Sequence, residues 1–233
     1  MSTPGQQLPL ALRYPPDQRL ENFIAAPPGA IAQLRALADV AGSDWLYLQG
    51  ADGAGKTHLA LGTCASTEGA GRRAAYLPLH AARGRLRAAL DALEGNDLVA
   101  LDGLEAVAGS RDDELALFEF HNRMRGTGIG VLYTARAIPA ALALALPDLG
   151  SRLSQCTRIA LSSLDDAGRQ AVLRDRAQRR GLVLDEQALD WLLRRADRDL
   201  FSLTTLLEAI DRASLSAQRR ITVPFLRQTL GPL

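Results

Sequence analysis

The eight residues Gly50-Ala51-Asp52-Gly53-Ala54-Gly55-Lys56-Thr57 decide how the rest of the chain is read. They match the pattern GxxxxGK[ST] in full. The preceding run, Trp45 to Gln49 (WLYLQ), reads as a buried strand, and the residues from Lys56 to about Ser66 read as a helix. Strand, glycine-rich turn and helix in that order is the setting of a phosphate-binding loop. Its glycines let successive backbone N–H groups turn inward around phosphate oxygens. The helix start adds partial positive charge. Lys56 is placed to reach terminal phosphates, and the Thr57 hydroxyl to ligate magnesium. Gly50 to Thr57, with His58 directly behind, form the candidate nucleotide site.

Outward from this loop, strand and helix patterns alternate. Ala30 to Ala41 has Ile31, Leu34, Leu37 and Ala38 at helical spacing. Further strands are expected at Arg73–Leu79, Asp97–Gly103, Gly128–Thr134 and Cys156–Ser162. Helices are expected at about Arg83–Leu93 and at Asp112–Arg125, the latter with acids in its first turn and arginines in its last. Apolar strands separated by helices imply a parallel sheet covered on both faces. The third strand ends in VALDG, so Asp102 is the expected second magnesium group.

From Asp165 onward the strand patterns stop. Helices are expected at Asp165–Arg180, after Asp185, at about Asp199–Ala217 and from Thr222-Val223-Pro224, where proline suits a first turn. The arginines of the first of these, Arg169, Arg174, Arg176, Arg179 and Arg180, alternate with Asp175 and Gln178 and read as a solvated face. Three segments result: a tail and linker at 1–17, a nucleotide-binding domain at 18–162 and a helical domain at 163–233.

Bulk properties narrow the function. With 233 residues and 47% hydrophobic content, a substantial core can be buried. Against 27 basic residues stand 26 acidic ones, a balance unlike that of domains living on nucleic-acid phosphates. Cys64 and Cys156 lack a CxxC spacing, and His58, His80 and His121 lack metal-ligand spacing; the cysteines read as reduced thiols of a cytosolic protein. Neither a signal-peptide pattern nor an apolar run of about 20 residues is seen, so no membrane is expected.

A phosphate-loop domain followed by a helical lid is the AAA+ architecture: α/β, with a five-stranded parallel sheet and a small all-α lid. The chain resembles the DnaA/Hda branch of that family through QLPLAL near the start, ENFIAAP, the phosphate loop, LDGLEAVAG, LPDLGSRL (Leu146–Leu153) and DRASLSAQRRITVPF (Asp211–Phe225). The resemblance implies a cytoplasmic bacterial protein that binds ADP or ATP with Mg2+. It also implies a negative regulator of replication initiation that stimulates ATP hydrolysis by the initiator DnaA. In QLPLAL, Gln7 would be the polar anchor and Leu8, Leu10 and Leu12 the apolar contacts of a peptide docking on the DNA polymerase sliding clamp, with Pro9 and Ala11 departing from its commonest form. DNA would be met mainly through the clamp, and self-association is compatible with the family. Arg152 would be the finger that enters a neighbouring subunit's ATP site, where a guanidinium supplied in trans is worth roughly 10³–10⁵ in rate.

Three departures from the family pattern bear on activity. Where a second acid usually follows the magnesium Asp stands Gly103, with Glu105 two residues on. Where T-x-D is usual after the fourth strand stands Thr134-Ala135-Arg136. The lid's sensor arginine aligns with Phe201, with Arg198 nearby. The expectation is a protein that holds nucleotide, hydrolyses it poorly alone and activates hydrolysis in a partner. The alternative is a nucleotide-gated loader or scaffold for another replication component.

Overall fold

Five parallel strands carry the molecule: β1 (Leu46–Gln49), β2 (Ala74–Pro78), β3 (Leu98–Asp102), β4 (Gly130–Ala135) and β5 (Thr157–Ala160), in the spatial order β2-β3-β4-β1-β5. They are seen in a computed structural model that describes residues 18–195, 206–207, 209–211, 213 and 221–231. The clamp-peptide residues Gln7, Leu8, Leu10 and Leu12, and Arg198 and Phe201, lie outside the described residues.

The continuous apolar runs of these strands are explained by burial on both faces. Along β1, Leu46 and Leu48 enter one core layer while Tyr47 enters the other. In β3, Leu98 and Ala100 share the layer of Leu46, and Val99 and Leu101 that of Tyr47. The first layer is closed by α1 (Ala30–Asp39) and α2 (Lys56–Gly69), through Leu34, Leu37, Leu59 and Cys64. The second is closed by short helices α3 (Leu79–Ala82) and α4 (Leu86–Asp91), by α5 (Arg111–Met124) and by α6 (Pro147–Ser154), through Leu90, Leu117, Phe120, Leu149 and Leu153. Cys64 and Cys156 are both buried, unbridged, on opposite faces of the sheet.

The helix expected over about Arg83–Leu93 is present as α4 but starts only at Leu86, and a short α3 precedes it where the end of a strand is expected. Gly84 has φ +74°, a left-handed conformation that interrupts helical hydrogen bonding between α3 and α4. Its N–H donates to Asp113 Oδ2 at 2.9 Å. Asp113 and Glu114 are therefore more than dipole partners for their own helix: both are buried and bind backbone elsewhere.

Beyond the sheet lie α7 (Asp166–Arg179), α8 (Glu186–Arg195) and a last helix, Val223–Leu230. Asp165 caps α7, accepting from Gly168 N at 2.7 Å, a contact worth about 1 kcal/mol. Trp191, Leu192, Ile210, Ile221 and Leu226 form a separate small core. A parallel bridge between Leu184 and Ile221 adds a β contact where only helices are expected. Among the described residues no helix is long and apolar enough to cross a membrane.

Candidate functional site

Because all five strands run the same way, their carboxyl ends open onto one rim, where ligands of such sheets bind. The loop Gly50–Gly55 leaves β1 at that rim and turns directly into α2. Gly55 has φ +91°, and a Cβ there would lie 2.5 Å from the Phe23 ring, so no larger residue fits. Phe23 also meets His58 edge to face at 5.3 Å, and His58 Nε2 lies 2.8 Å from the Arg19 carbonyl oxygen. The segment ahead of α1 is thus packed onto the back of the loop.

Lys56 is nearly buried and donates to the carbonyls of Gly50 at 2.7 Å and Ala51 at 2.9 Å. Burial lowers its pKa from the ordinary lysine value, while the carboxylates of Glu105, Asp52 and Asp102 oppose that shift and Arg136 adds to it. The next residue, Thr57, donates its hydroxyl to Asp102 Oδ2 at 2.8 Å. Loop and third strand, 45 residues apart in sequence, are brought together here.

Asp102 is the hub of the rim. Its Oδ2 also accepts the Tyr76 hydroxyl at 2.7 Å, and its Oδ1 accepts the Thr134 hydroxyl. Thr134 Oγ1 in turn accepts from Gly103 N at 2.9 Å. Burial, then the adjoining carboxylate, holds the Tyr76 phenol far above its ordinary pKa, so it remains a donor. Tyr76 and Thr134 hold the Asp102 carboxylate, and the chain's local patterns do not disclose them. They become visible only once β2 and β4 are known to flank β3.

At the Thr134-Ala135-Arg136 position a cation faces the loop. Arg136 Nη1 lies 3.3 Å from Asp52 Oδ2, and its Nε lies 3.3 Å from Glu105 Oε1. The Arg136 backbone N–H donates to Glu105 Oε2 at 3.2 Å. Both oxygens of Glu105 are thereby engaged by Arg136.

A cleft beside the loop is lined by Phe23, Ile24, Leu161 and Leu164 and, from α7, by Val172, Arg176 and Arg179. The lid arginines divide accordingly. Arg174 pairs with Glu186 at 2.8 Å and Arg169 with Asp166, as a solvated face would. Arg176, which is buried, and Arg179, which pairs with Asp175 at 2.8 Å, line the cleft as well.

The residues fit a nucleotide with its cation. Thr57 and Asp102 place two oxygen ligands side by side, the donor type a hard divalent ion takes. Lys56 would hold phosphate oxygens, the loop amides would surround them, and the apolar cleft would take the base. Bound there, Mg2+ would offset phosphate charge.

Arg152 lies on α6, on the other side of the sheet from α2. Leu149 and Leu153 of the same helix are fully buried, while Arg152 is exposed. Among the described residues no carboxylate pairs with its guanidinium. The approach to α6 is pinned by Glu114, whose Oε1 accepts from Ala145 N at 3.0 Å and from Gly109 N at 2.6 Å. Its Oε2 accepts from Leu146 N at 2.7 Å. At the far end Arg125, stacked 5.2 Å over Trp45, donates to Gln155 Oε1 at 3.3 Å. The Gly50–Thr57 loop and Arg152 thus stand at separate places on the fold.

Comparison with known proteins places this geometry. Residues 166–230 match the family model described as Hda, lid domain. The fold matches domain III of the Thermotoga maritima replication initiation protein DnaA with a TM-score of 0.77, 19% identity, 93% of this chain and 97% of that one. AMPPCP-bound DnaA from Aquifex aeolicus matches with a TM-score of 0.67 and 19% identity over 88% of this chain and 68% of that one. The Thermotoga maritima RuvB Holliday-junction branch migration motor matches at 0.60 and 17%, covering 93% and 72%. The parallel sheet and the helices after it thus share the fold of DnaA domain III, and the stretch 166–230 is similar to the lid domain of the Hda family.

Proposed function

We propose that this chain is a nucleotide-bound negative regulator of replication initiation, docking on the DNA-loaded sliding clamp through Gln7–Leu12 and activating ATP hydrolysis by a DnaA-type initiator through Arg152. The observation that carries the reading is the Arg152 guanidinium: exposed, unpaired among the described residues, and borne on a helix anchored at both ends. A surface arginine kept for stability would be expected to pair with an acid, as Arg123 does with Asp91 at 2.9 Å and Glu94 at 3.0 Å. An arginine kept for a partner's phosphates should stand free and be aimed.

The chain's own rim supports the same division of labour. Lys56, Thr57 and Asp102 have the chemistry to hold nucleotide and magnesium. Gly103 has no side chain to orient a water, and Glu105, the nearest substitute, is occupied by Arg136. Binding without efficient hydrolysis suits a protein whose nucleotide is structural. The known AMPPCP-bound DnaA structure, sharing this fold, supports a nucleotide at the loop.

The test is the Arg152→Ala variant in an assay of the initiator's ATPase with DNA-loaded clamp. Stimulation should fall by at least about tenfold, a small part of what an arginine finger contributes elsewhere, with clamp binding unchanged. Undiminished stimulation would place the activating group elsewhere.

A further inference from the structure

Arg136 stands where the phosphate loop, β3 and β4 converge, and its charge is already spent on two carboxylates. Asp52 belongs to the phosphate loop itself, and Glu105 to the turn after the magnesium strand. The group therefore ties the loop to the sheet rim across three chain segments. It borders the ammonium of Lys56, which feels the fields of Asp52, Glu105 and Arg136 together.

We propose that Asp52, Arg136 and Glu105 form a clasp that sets which nucleotide the loop retains, weighting it toward the diphosphate. The proposal rests on the nucleotide reading of the loop given above. Counted as a unit, the clasp carries two negative charges and one positive. A diphosphate held by Lys56 and the loop amides leaves the clasp closed. A third phosphate brings further negative charge toward Asp52 and Glu105, and Arg136 can meet it only by leaving them. Triphosphate binding thus includes breaking two ion pairs, and diphosphate binding does not. Asp52 is 76% exposed and Arg136 54%, so the clasp can open without disturbing the core, and solvent screening keeps its influence moderate.

The charge arrangement gives opposite signs for its members. Asp52→Asn with Glu105→Gln frees Arg136 for the terminal phosphate and should strengthen ATP relative to ADP. Arg136→Ala leaves both carboxylates unneutralised and should weaken ATP relative to ADP. The experiment is equilibrium binding of ADP and ATP, each with Mg2+, to the full chain by titration calorimetry, with Lys56→Ala as the non-binding reference. The Kd ratio of ATP to ADP should drop by about fivefold in the double variant and rise by about as much in Arg136→Ala. Thermal melts without nucleotide check that the variants fold. Tight binding with the same ratio in all three proteins would overturn the clasp and leave the nucleotide site standing. Failure of the unaltered chain to bind either nucleotide would overturn the nucleotide site, and the clasp with it.

Discussion

His121 faces the interior of the α5 layer with no exposed surface. Arg125 Nε lies 3.4 Å from its Nε2, and Tyr133 Oη lies 3.0 Å from its Nδ1. The Trp45 ring meets it edge on at 4.6 Å. Burial lowers its pKa to about 4, with the cations Arg125 and Arg152 adding to the shift. The sign follows from which state binds the proton first. As pH falls, the unfolded chain protonates its histidine near 6.5 while the folded chain does not until about 4. The folded state is therefore disfavoured progressively through that window, by about 3 kcal/mol in full. Urea midpoints of the parent and of His121→Gln, compared at pH 7.5 and pH 4.5, should show a smaller loss in the variant; equal losses would mean that the imidazole is hydrated or protonated when folded. At this scale Lys56, Thr57 and Asp102 were legible in the sequence, since one contiguous motif and one strand-end acid mark them. Thr134, Tyr76 and Glu114 were not. Thr134 meets Asp102 32 residues away and Glu114 meets Leu146 32 residues away, and nothing local announces such pairings.

Among elements, α6 is the one whose placement matters most, because it is short and carries Arg152. Its eight residues bury Leu149 and Leu153 but cannot fix the approach of the preceding Ala/Leu-rich stretch. Glu114 does this from α5, by binding three backbone N–H groups outside its own helix. Glu114→Gln halves the acceptor capacity and turns an NH₂ toward donors. It should lower stability by about 2 kcal/mol, the scale of a buried donor left unsatisfied. Stimulation of the initiator's ATPase should also fall under conditions where the variant remains folded. Full stimulation with reduced stability would show that the helix keeps its aim without the carboxylate. The acids at the start of α5 read from sequence as partners of the helix dipole because composition shows which residues lie in a first turn, not what they face. The same limit hid the turn at Arg83–Arg85, where all three residues leave helical geometry and the Gly84 N–H is held by Asp113.

At the scale of the whole molecule the layout was legible in outline, because alternating apolar strands and helices dictate a two-sided parallel sheet and strand patterns end before α7. Three functions are proposed for separate places: clamp docking in the tail, nucleotide at the sheet rim and the finger on α6. They should separate experimentally. Removing residues 1–12 should abolish binding to purified clamp while leaving ADP affinity and the thermal midpoint unchanged. Stimulation of the initiator should then persist only at high protein concentration, because tethering supplies effective concentration rather than a new contact. Equal clamp binding with and without residues 1–12 would move that contact to the rest of the chain.

The two thiols carry a practical consequence. Cys64 belongs to the layer under α1 and α2, and Cys156 to the layer under α5 and α6. Both are shielded, and burial pushes the Cys156 thiol up to about 11, so neither reacts readily while its layer is closed. Each cysteine is a built-in clock for one side of the molecule: timed alkylation, read peptide by peptide, would count openings of the α2 side and of the α6 side separately, with no label introduced.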